Sequence, residues 1–421
     1  MTTSPQSAID RPHDLWRDFE SICDCGGRLA GTESERAATE LLKSLGREAT
    51  GVECRVERVP YAGWSAVSAE LTGPDGARHG CHPLVRTVAT PTGGLEAEVV
   101  DLGRGTPDDF DAHRGEIAGR FVLVRHELMF APDTIHRRLK YRMAVEAGAA
   151  GFLIAGPVPG SLVAGSSGRG EEDGIPAVGI APETASAFAP SGGIRPSARL
   201  RLETREAPAS AENLIFDIPG QADEWIVLSA HIDGHDLAES AIDNASGLVV
   251  ALEVARQLSR QTERRRRGLR LAFFNVEEWA LLGSAFHVAS LTESERKAIA
   301  LNVNLDSVAG GARLTALTSG FAGLEPFLDG CAEKAGIPLG THRPLQSNSD
   351  HANFAQAGIP AFRLVAGFAD RNAATAGVLT AADTRDKVDL DALQTAARLA
   401  TAITAAALDA DAADAQDWRA L

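Results

Sequence analysis

One histidine and five carboxylates recur at the ends of expected strands or the starts of expected helices in the second half of the chain. In order they are His231, Asp233, Asp243, Glu277, Glu278 and Asp306. Imidazole nitrogen and carboxylate oxygen are the ligands that a catalytic divalent cation takes from a protein. These residue types, in this order, therefore predict a metal-assisted hydrolase, in which short polar side chains converge on one cation.

The elements that must position these residues are indicated by apolar runs alternating with helical patterns. Strands are expected at 225 to 230, 269 to 275 and 300 to 305, and helices at about 245 to 259, 279 to 290, 323 to 335 and 388 to 408. This alternation predicts an α/β fold, with a mainly parallel twisted sheet flanked by helices. Ligands of such sheets bind beyond the carboxyl ends of the strands, where the polar residues fall.

Five motifs run through this half of the chain. They are Val227-Leu-Ser-Ala-His231-Ile-Asp233, Ala241-Ile-Asp243-Asn244-Ala-Ser-Gly247, Phe274-Asn-Val-Glu277-Glu278-Trp-Ala-Leu-Leu-Gly283-Ser284, Asn302-Val-Asn304-Leu-Asp306 and Ser349-Asp350-His351-Ala-Asn-Phe-Ala-Gln-Ala-Gly358-Ile-Pro360. In this order they resemble the co-catalytic zinc aminopeptidases and carboxypeptidases of peptidase family M28.

The resemblance implies a role for each residue. His231 and Asp306 would hold one Zn²⁺ ion, and Asp243 would bridge it to a second. Glu278 would belong to the second ion, and Glu277 would be the general base, since a metal-bound water needs an unligated carboxylate nearby. Asp233 would hydrogen-bond the imidazole and fix its tautomer. The alternative for Asp233 is the cap of a helix or turn.

The expected second zinc site departs from the family pattern. In Val378-Leu379-Thr380-Ala-Ala-Asp383-Thr384, leucine stands where the family has a metal-binding histidine. Three interpretations follow: a single working zinc at His231, Asp243 and Asp306, a second metal completed by another group, or a decayed enzyme. His235 and His351 are the candidate replacement ligands. Their alternatives are a loop histidine bonded to backbone and a residue of the pocket wall.

The function predicted by these residues is zinc-dependent hydrolysis of peptide or amide bonds, by an exopeptidase acting on small peptides or N-acyl amino acids. Arg363 and Arg371 are candidate partners for a substrate carboxylate, although both could instead pair with the chain's own acids. Two other functions stay open: a mononuclear acyltransferase like the glutaminyl cyclases, and a non-catalytic binding protein with a decayed metal site.

Residues 58–205 have a different texture, with short β-like runs separated by glycine and proline and one helix expected from Ile135 to Ala147. They resemble a protease-associated (PA) domain inserted into the peptidase, which leaves 1–57 and 206–421 as a discontinuous catalytic domain. By that resemblance the insert lies over the cleft and carries no catalytic group. Its glycine-rich stretch Gly165-Ser-Ser-Gly-Arg-Gly170 is expected to be a mobile surface loop.

Composition limits the partners. A formal net charge of -16 argues against general binding to nucleic acid or to anionic membranes. The five cysteines lack paired spacing and are expected to be free thiols. No signal peptide or membrane span is visible, so we expect a cytoplasmic protein, and a homo-oligomer stays open.

Overall fold

The computed structural model describes residues 12–170, 174–189 and 194–421. Its strands are β1 (Arg55–Thr72), β2 (Arg78–His79), β3 (Cys81–Pro83), β4 (Leu95–Asp101), β5 (Phe121–Arg125), β6 (Gly151–Ala155), β7 (Ala177–Ile180), β8 (Ser197–Ile218), β9 (Trp225–His231), β10 (Gly268–Phe274), β11 (Ile299–Leu305), β12 (Leu314–Leu317), β13 (Leu339–His342) and β14 (Ala361–Ala366).

The α-helices of the same ranges are α1 (Pro12–Asp24), α2 (Glu33–Thr50), α3 (Pro107–Ala112), α4 (Arg114–Ile117), α5 (Arg137–Glu146), α6 (Pro182–Ser186), α7 (Ser246–Leu258), α8 (Leu282–Ser290), α9 (Glu293–Ala298), α10 (Leu324–Ala335), α11 (His351–Gln356), α12 (Leu390–Asp409) and α13 (Ala412–Asp417). A π-helical turn at Ala241–Ala245 precedes α7. Short 3₁₀ turns lie at Ser259–Arg264, Ala374–Gly377 and Arg385–Lys387.

The sheet of the catalytic part has the strand order β13-β12-β14-β11-β9-β10-β8. Strand β9 pairs in parallel with both β10 and β11, and β11 pairs in parallel with β14. The antiparallel pairs are β12 with β14 and β10 with β8. The prediction of a mainly parallel α/β sheet is confirmed.

Both faces of this sheet are covered by helices. In β9, Ile226 and Leu228 pack into the core formed with α1, α2, α7 and α12, while Val227 between them packs on the opposite face with Val288 of α8 and Phe354 of α11. Successive side chains of a strand point to opposite faces. A strand buried on both sides reads as the continuous apolar run seen in the sequence.

The insert is joined to the catalytic part by a long antiparallel ribbon of β1 and β8, which pair from Arg55↔Ile215 to Thr72↔Arg199. The C-terminal end of β8 pairs with β10, and its N-terminal end pairs with β4 of the insert. There β4, β5, β6 and β7 run parallel, and β3 adds antiparallel to β7.

Several local expectations were wrong. Helix α8 begins at Leu282 rather than near 279, because Ala280 and Leu281 have positive φ values of 72° and 63°, which a helix does not allow. The glycine-rich stretch is not a surface loop at its start, since Ser166 and Ser167 are 3% and 0% exposed.

Two predictions from composition can also be compared with the structure. All five cysteines are free. Among the helices of the described residues, none combines the length and the apolar content that a bilayer span requires.

Candidate metal centre

The predicted metal residues lie together at one edge of the catalytic sheet. His231 is the last residue of β9, Glu277 follows β10, and Asp306 follows β11. Asp243 lies in the π-helical turn before α7. Because β10, β9 and β11 are neighbouring parallel strands, their carboxyl ends meet at this edge, as the sequence predicted.

Two carboxylates each lie close enough to His231 to share an ion with it. The Nε2 atom of His231 lies 2.9 Å from Oδ1 of Asp243 and 3.7 Å from Oδ1 of Asp306. Two ligands that are each about 2 Å from a zinc ion are up to about 4 Å apart, so each carboxylate taken singly is within reach. Among the described residues, the three ligand atoms that all lie within 4.8 Å of one another are those of His231, Glu277 and Asp306, and Asp243 is not in that group. Glu277 is therefore adjacent to any ion held here.

The tautomer of His231 is fixed by backbone rather than by a side chain. Its Nδ1 lies 2.9 Å from the carbonyl oxygen of Asp233 and donates to it, which leaves the lone pair of Nε2 for a metal. The Asp233 carboxylate is 3.8 Å from the ring nitrogen. It instead accepts hydrogen bonds from the backbone N–H groups of Glu277 (2.9 Å) and Glu278 (3.1 Å). The predicted bond from the Asp233 side chain to the imidazole was wrong: this carboxylate orients the two glutamates.

A second buried carboxylate, Asp383, holds the turn that carries Asp243. Its Oδ1 accepts from the N–H of Ile242 at 2.7 Å, and its Oδ2 accepts from the N–H of Asp243 at 3.2 Å. Burial raises the pKa of Asp383 to about 7. Sequence reasoning missed this role, although Asp383 belongs to the segment that departs from the family pattern.

Three carboxyl groups around the site are buried away from solvent, which favours their protonated forms. Burial raises the pKa of Glu277 well above its usual value, that of Glu278 to about 8 and that of Asp350 to about 7. Such a cluster of buried carboxyl groups ionises only when positive charge is brought among them.

The pKa of the His231 imidazole also reflects the excess of acids around it. Burial alone lowers the pKa of His231, but Glu277, Asp243 and Asp306 together raise it well above its usual value. A divalent ion bound at Nε2 would supply the positive charge that these acids otherwise draw from the ring. The nitrogen and oxygen donors, the burial and the excess of acids fit one zinc ion.

The comparison with known proteins identifies the family. Residues 213–404, which hold the five motifs, match the model of peptidase family M28, and residues 82–188 match the PA domain. Residues 213–404 therefore form a peptidase family M28 domain, which makes the protein a hydrolase, and the insert contains a PA domain.

Several known proteins are similar to this chain in sequence or in fold. The aminopeptidase YwaD of Bacillus subtilis is 27% identical over 397 residues, covering 90% of this chain and 80% of that protein. Leucine aminopeptidase 2 of Trichophyton rubrum is 28% identical over 246 residues, and the match spans only 48% of its length. The structure of a zinc aminopeptidase from B. subtilis superposes with a TM-score of 0.73 at 25% identity, covering 95% and 97% of the two chains. An M28 peptidase precursor from Shewanella amazonensis has a TM-score of 0.79 at 20% identity, with 97% and 96% covered.

The second zinc site of the M28 pattern is incomplete. Leu379, Asp243 and Glu278 line one cavity, so leucine occupies the place expected for a histidine ligand. Neither His235 nor His351 lines that cavity. Apart from His231, Glu277 and Asp306, no group of three His, Cys, Asp or Glu ligand atoms gathers this closely within the described ranges. A second zinc ion does not fit these residues.

The two arginines proposed for substrate binding are placed differently. Arg363 lines the cavity, but its Nη2 lies 3.1 Å from Oδ1 of Asp306 and its guanidinium stacks 4.7 Å over the ring of Phe130. Arg371 is exposed and does not line the cavity. Arg363 thus pairs with an internal acid, as its alternative required, and the geometry gives Arg371 no part in the site.

The PA domain contributes to the cavity wall, in agreement with the expectation that it lies over the cleft, and the expectation that it carries no catalytic group stays a prediction. The residues of the PA domain that line the cavity are Met129, Phe130, His136, Arg137, Arg138 and Ser166. These residues were missed because they lie about a hundred positions from the metal motifs and have no motif of their own.

Proposed function

We propose that this M28 protein is a zinc-dependent exopeptidase that hydrolyses small peptides or N-acyl amino acids at one metal ion. The observation that carries the proposal is the convergence of His231 Nε2 with the carboxylates of Asp243 and Asp306, beside Glu277, in a buried cavity. The aminopeptidase names of the related proteins support peptide substrates. The space in the cavity that the centre of a water-sized molecule can occupy is about 30 Å³, which favours small substrate groups.

The roles of the residues follow from their places. His231, Asp243 and Asp306 would hold the ion, which when bound supplies a Lewis acid and lowers the pKa of water. Glu277 would accept the proton of the attacking water and pass it to the departing amine. Burial already moves the pKa of Glu277 upward, the direction that suits a proton carrier near neutral pH.

We propose further that residues 1–57 and 206–421 form the catalytic domain and 58–205 the insert, with the β1–β8 ribbon as the connection. The absence of disulfides among the cysteines is in keeping with a cytoplasmic location. The glutaminyl-cyclase-like acyltransferase and the decayed binding protein are the alternatives that the following experiment separates.

Replacing the general base tests the mechanism. Glu277→Gln should lower turnover of a dipeptide by about two to four orders of magnitude, because the carboxylate assigned to take the proton is gone. Zinc content, measured by metal analysis, should stay unchanged. The matched control is Glu293→Gln, on exposed α9, which should leave both quantities alone. A Glu277→Gln variant of ordinary turnover and normal zinc content would remove the assignment.

The substrate class is read from the same assay of wild type. A free-acid dipeptide, its C-terminal amide and its N-acetylated form should be compared, and hydrolysis of at least one is expected. Release of cyclised product without hydrolysis would favour the acyltransferase, and zinc-loaded protein inert on all three would favour the binding protein. Equal rates on the free acid and the amide would exclude a dedicated carboxylate partner.

A further inference from the structure

The cavity lacks a histidine ligand for a second metal ion, but a positively charged side chain faces it. Leu379 is 1% exposed and has a φ of 63°, an unusual conformation for a residue with a branched side chain. It lines the same cavity as Asp243 and Glu278. Two carboxylates that would serve a second ion are therefore retained, while the nitrogen that would complete its site is missing.

Arg137, the first residue of α5 in the PA domain, faces the same cavity. Its side chain is 4% exposed, and its Nε donates to the carbonyl of Ser166 at 2.6 Å. Its Nη1 is buried and has no hydrogen-bond partner among the described residues. A buried guanidinium nitrogen without a partner is costly, so its place in this cavity calls for an acceptor that the protein itself does not supply.

The loop around Gly165 is shaped to receive this guanidinium. A Cβ atom on Gly165 would lie 2.3 Å from Nη2 and 2.6 Å from Cζ of Arg137, and Gly165 has a φ of 98°. Only glycine satisfies both conditions. The same loop is bonded to the segment of Leu379, since the N–H of Ala164 donates to the Leu379 carbonyl at 2.7 Å. Leu379 and Arg137 therefore both contact the loop around Gly165.

Electrostatics favours a charged Arg137 at this point. Burial lowers its pKa to about 10, so the guanidinium stays protonated at neutral pH. Glu278 is the carboxylate that most opposes this decrease, followed by Glu277 and Asp243. Within the described ranges, no ion pair within 4.0 Å joins Arg137 to these acids, so the charge acts across the cavity and leaves Nη1 open to a bound group.

His136 is the other residue of the PA domain that could have replaced the missing histidine. Its Nδ1 accepts a hydrogen bond from the N–H of Arg138 at 3.1 Å, which caps α5. A neutral imidazole that accepts at Nδ1 carries its proton on Nε2, and that nitrogen then has no lone pair for a metal. His136 therefore does not complete a second metal site in this arrangement.

We propose that the guanidinium of Arg137 takes the place of the second metal ion, so that the site holds one zinc and one fixed cation supplied by the PA domain. The inference rests on the proposed function for its zinc at His231 and for its catalytic consequence. That consequence is a hydrogen bond from Nη1 to the carbonyl oxygen of the substrate, where negative charge develops during attack by water. Arg137→Ala should then lower kcat about 100-fold while one zinc remains bound.

Zinc counting tests the inference directly. Purified full-length protein is equilibrated with excess zinc, passed through gel filtration and analysed for zinc per chain. Wild type should retain one ion. The double variant Arg137→Ala with Leu379→His, which removes the cation and restores the nitrogen ligand, should retain two. Its matched partner, Arg137→Lys with Leu379→His, keeps a positive charge in the cavity and should stay at one. Arg142→Ala, an exposed arginine of the same helix, is the control and should match wild type in zinc content and turnover.

Each outcome separates this inference from the proposed function, because the zinc count does not depend on turnover. Two site-bound zinc ions in wild type, or one in a folded Arg137→Ala, Leu379→His protein, would overturn the role of Arg137. An inactive wild type that binds one zinc and gains a second in the double variant would overturn only the hydrolytic function. Circular dichroism checks the fold, and the wild-type count decides alone if a variant does not fold.

Discussion

At the scale of single residues, two carboxylates position the candidate metal centre without binding the metal. They accept hydrogen bonds from backbone N–H groups of the residues that form it. Asp233 accepts the N–H groups of Glu277 and Glu278, and Asp383 accepts those of Ile242 and Asp243. Each carboxylate satisfies two buried donors that would otherwise be unpaired. Both also fix the direction in which a neighbouring acid presents its oxygens, which is the usual work of groups behind a metal ligand.

Replacing Asp383 should therefore weaken zinc binding. In Asp383→Ala the N–H groups of Ile242 and Asp243 lose their acceptors, and zinc affinity should fall about 10- to 100-fold. A chelator competition assay measures this. The control is Asp389→Ala, which removes a carboxylate from the N-cap of α12, where it accepts from Ala392. That variant should lose some stability but no zinc affinity. Equal affinities in all three proteins would contradict the positioning role.

The residues that sequence could predict are those whose role is local to a motif. His231, Asp243 and Asp306 each end or follow an element that the apolar pattern reveals, so their meeting place follows from the parallel sheet. The partner of the Asp233 carboxylate could not be predicted, because it depends on how closely the end of β10 approaches β9. Arg137 could not be predicted either, since its approach to Glu278 depends on how two domains pack.

At the scale of elements, the start of β1 is tied to α8 by a hydrogen bond between the partly buried Glu57 and the buried His287. Glu57 of β1 lies 3.0 Å from Nδ1 of His287, and it also accepts from Arg55 at 2.6 Å and from Asn213 at 3.3 Å. Helix α8 follows Glu277 and Glu278 by only a few residues. This contact therefore supports the turn that presents both glutamates.

The pKa of Glu57 gives a prediction for pH dependence. Burial alone raises it, but hydrogen bonds led by that of His287 outweigh this and lower it from 4.5 to about 2. A depressed carboxyl pKa adds stability above about pH 4.5 that is lost as the pH falls toward 2. Glu57→Gln should lower the free energy of unfolding by on the order of 1 to 2 kcal/mol at pH 6, allowing for the solvent that still reaches this group.

Urea denaturation at several pH values measures this effect. The difference between wild type and Glu57→Gln should shrink as the pH is lowered from about 4.5, because wild type then loses the same charged hydrogen bonds. Glu40→Gln, at an exposed position of α2, should follow wild type throughout. A difference that stays constant down to pH 3 would show that Glu57 does not titrate as described.

Elements were predictable where they were long and strongly apolar. Strands β9, β10 and β11 and helices α7, α10 and α12 lie within one or two residues of the expected ranges. Strands β12 and β13 were missed because each has four residues, too few for a periodic pattern. The full length of β1 and β8 was missed because the ribbon is set by their mutual pairing, which local sequence does not specify.

At the scale of the whole molecule, the candidate metal centre lies between the PA domain and the catalytic part. Arg138 of α5 donates to the carbonyl of Ser347 at 3.0 Å, and Ala369 donates its N–H to the carbonyl of Phe130 at 2.7 Å. One side-chain and one backbone hydrogen bond thus join the insert to the catalytic part beside the cavity, at residues Arg138 and Phe130 of its wall. Zinc bound in this cavity would be linked to the stability of both parts, because its ligands would come from the end of β9, the turn before α7 and the end of β11, and part of the cavity wall comes from the insert.

Removal of zinc should therefore lower the melting temperature of the whole chain. An ion that binds only the folded state stabilises it by about 4 kcal/mol when its concentration is a thousand times Kd. Without the ion, the buried carboxyl groups keep their raised pKa values and compete for the single imidazole. Calorimetry of zinc-loaded and chelator-treated protein measures the shift, and His231→Ala should show none because the nitrogen ligand is gone. If loaded and treated wild type melt at the same temperature, then the cluster of His231, Asp243 and Asp306 is not a zinc site.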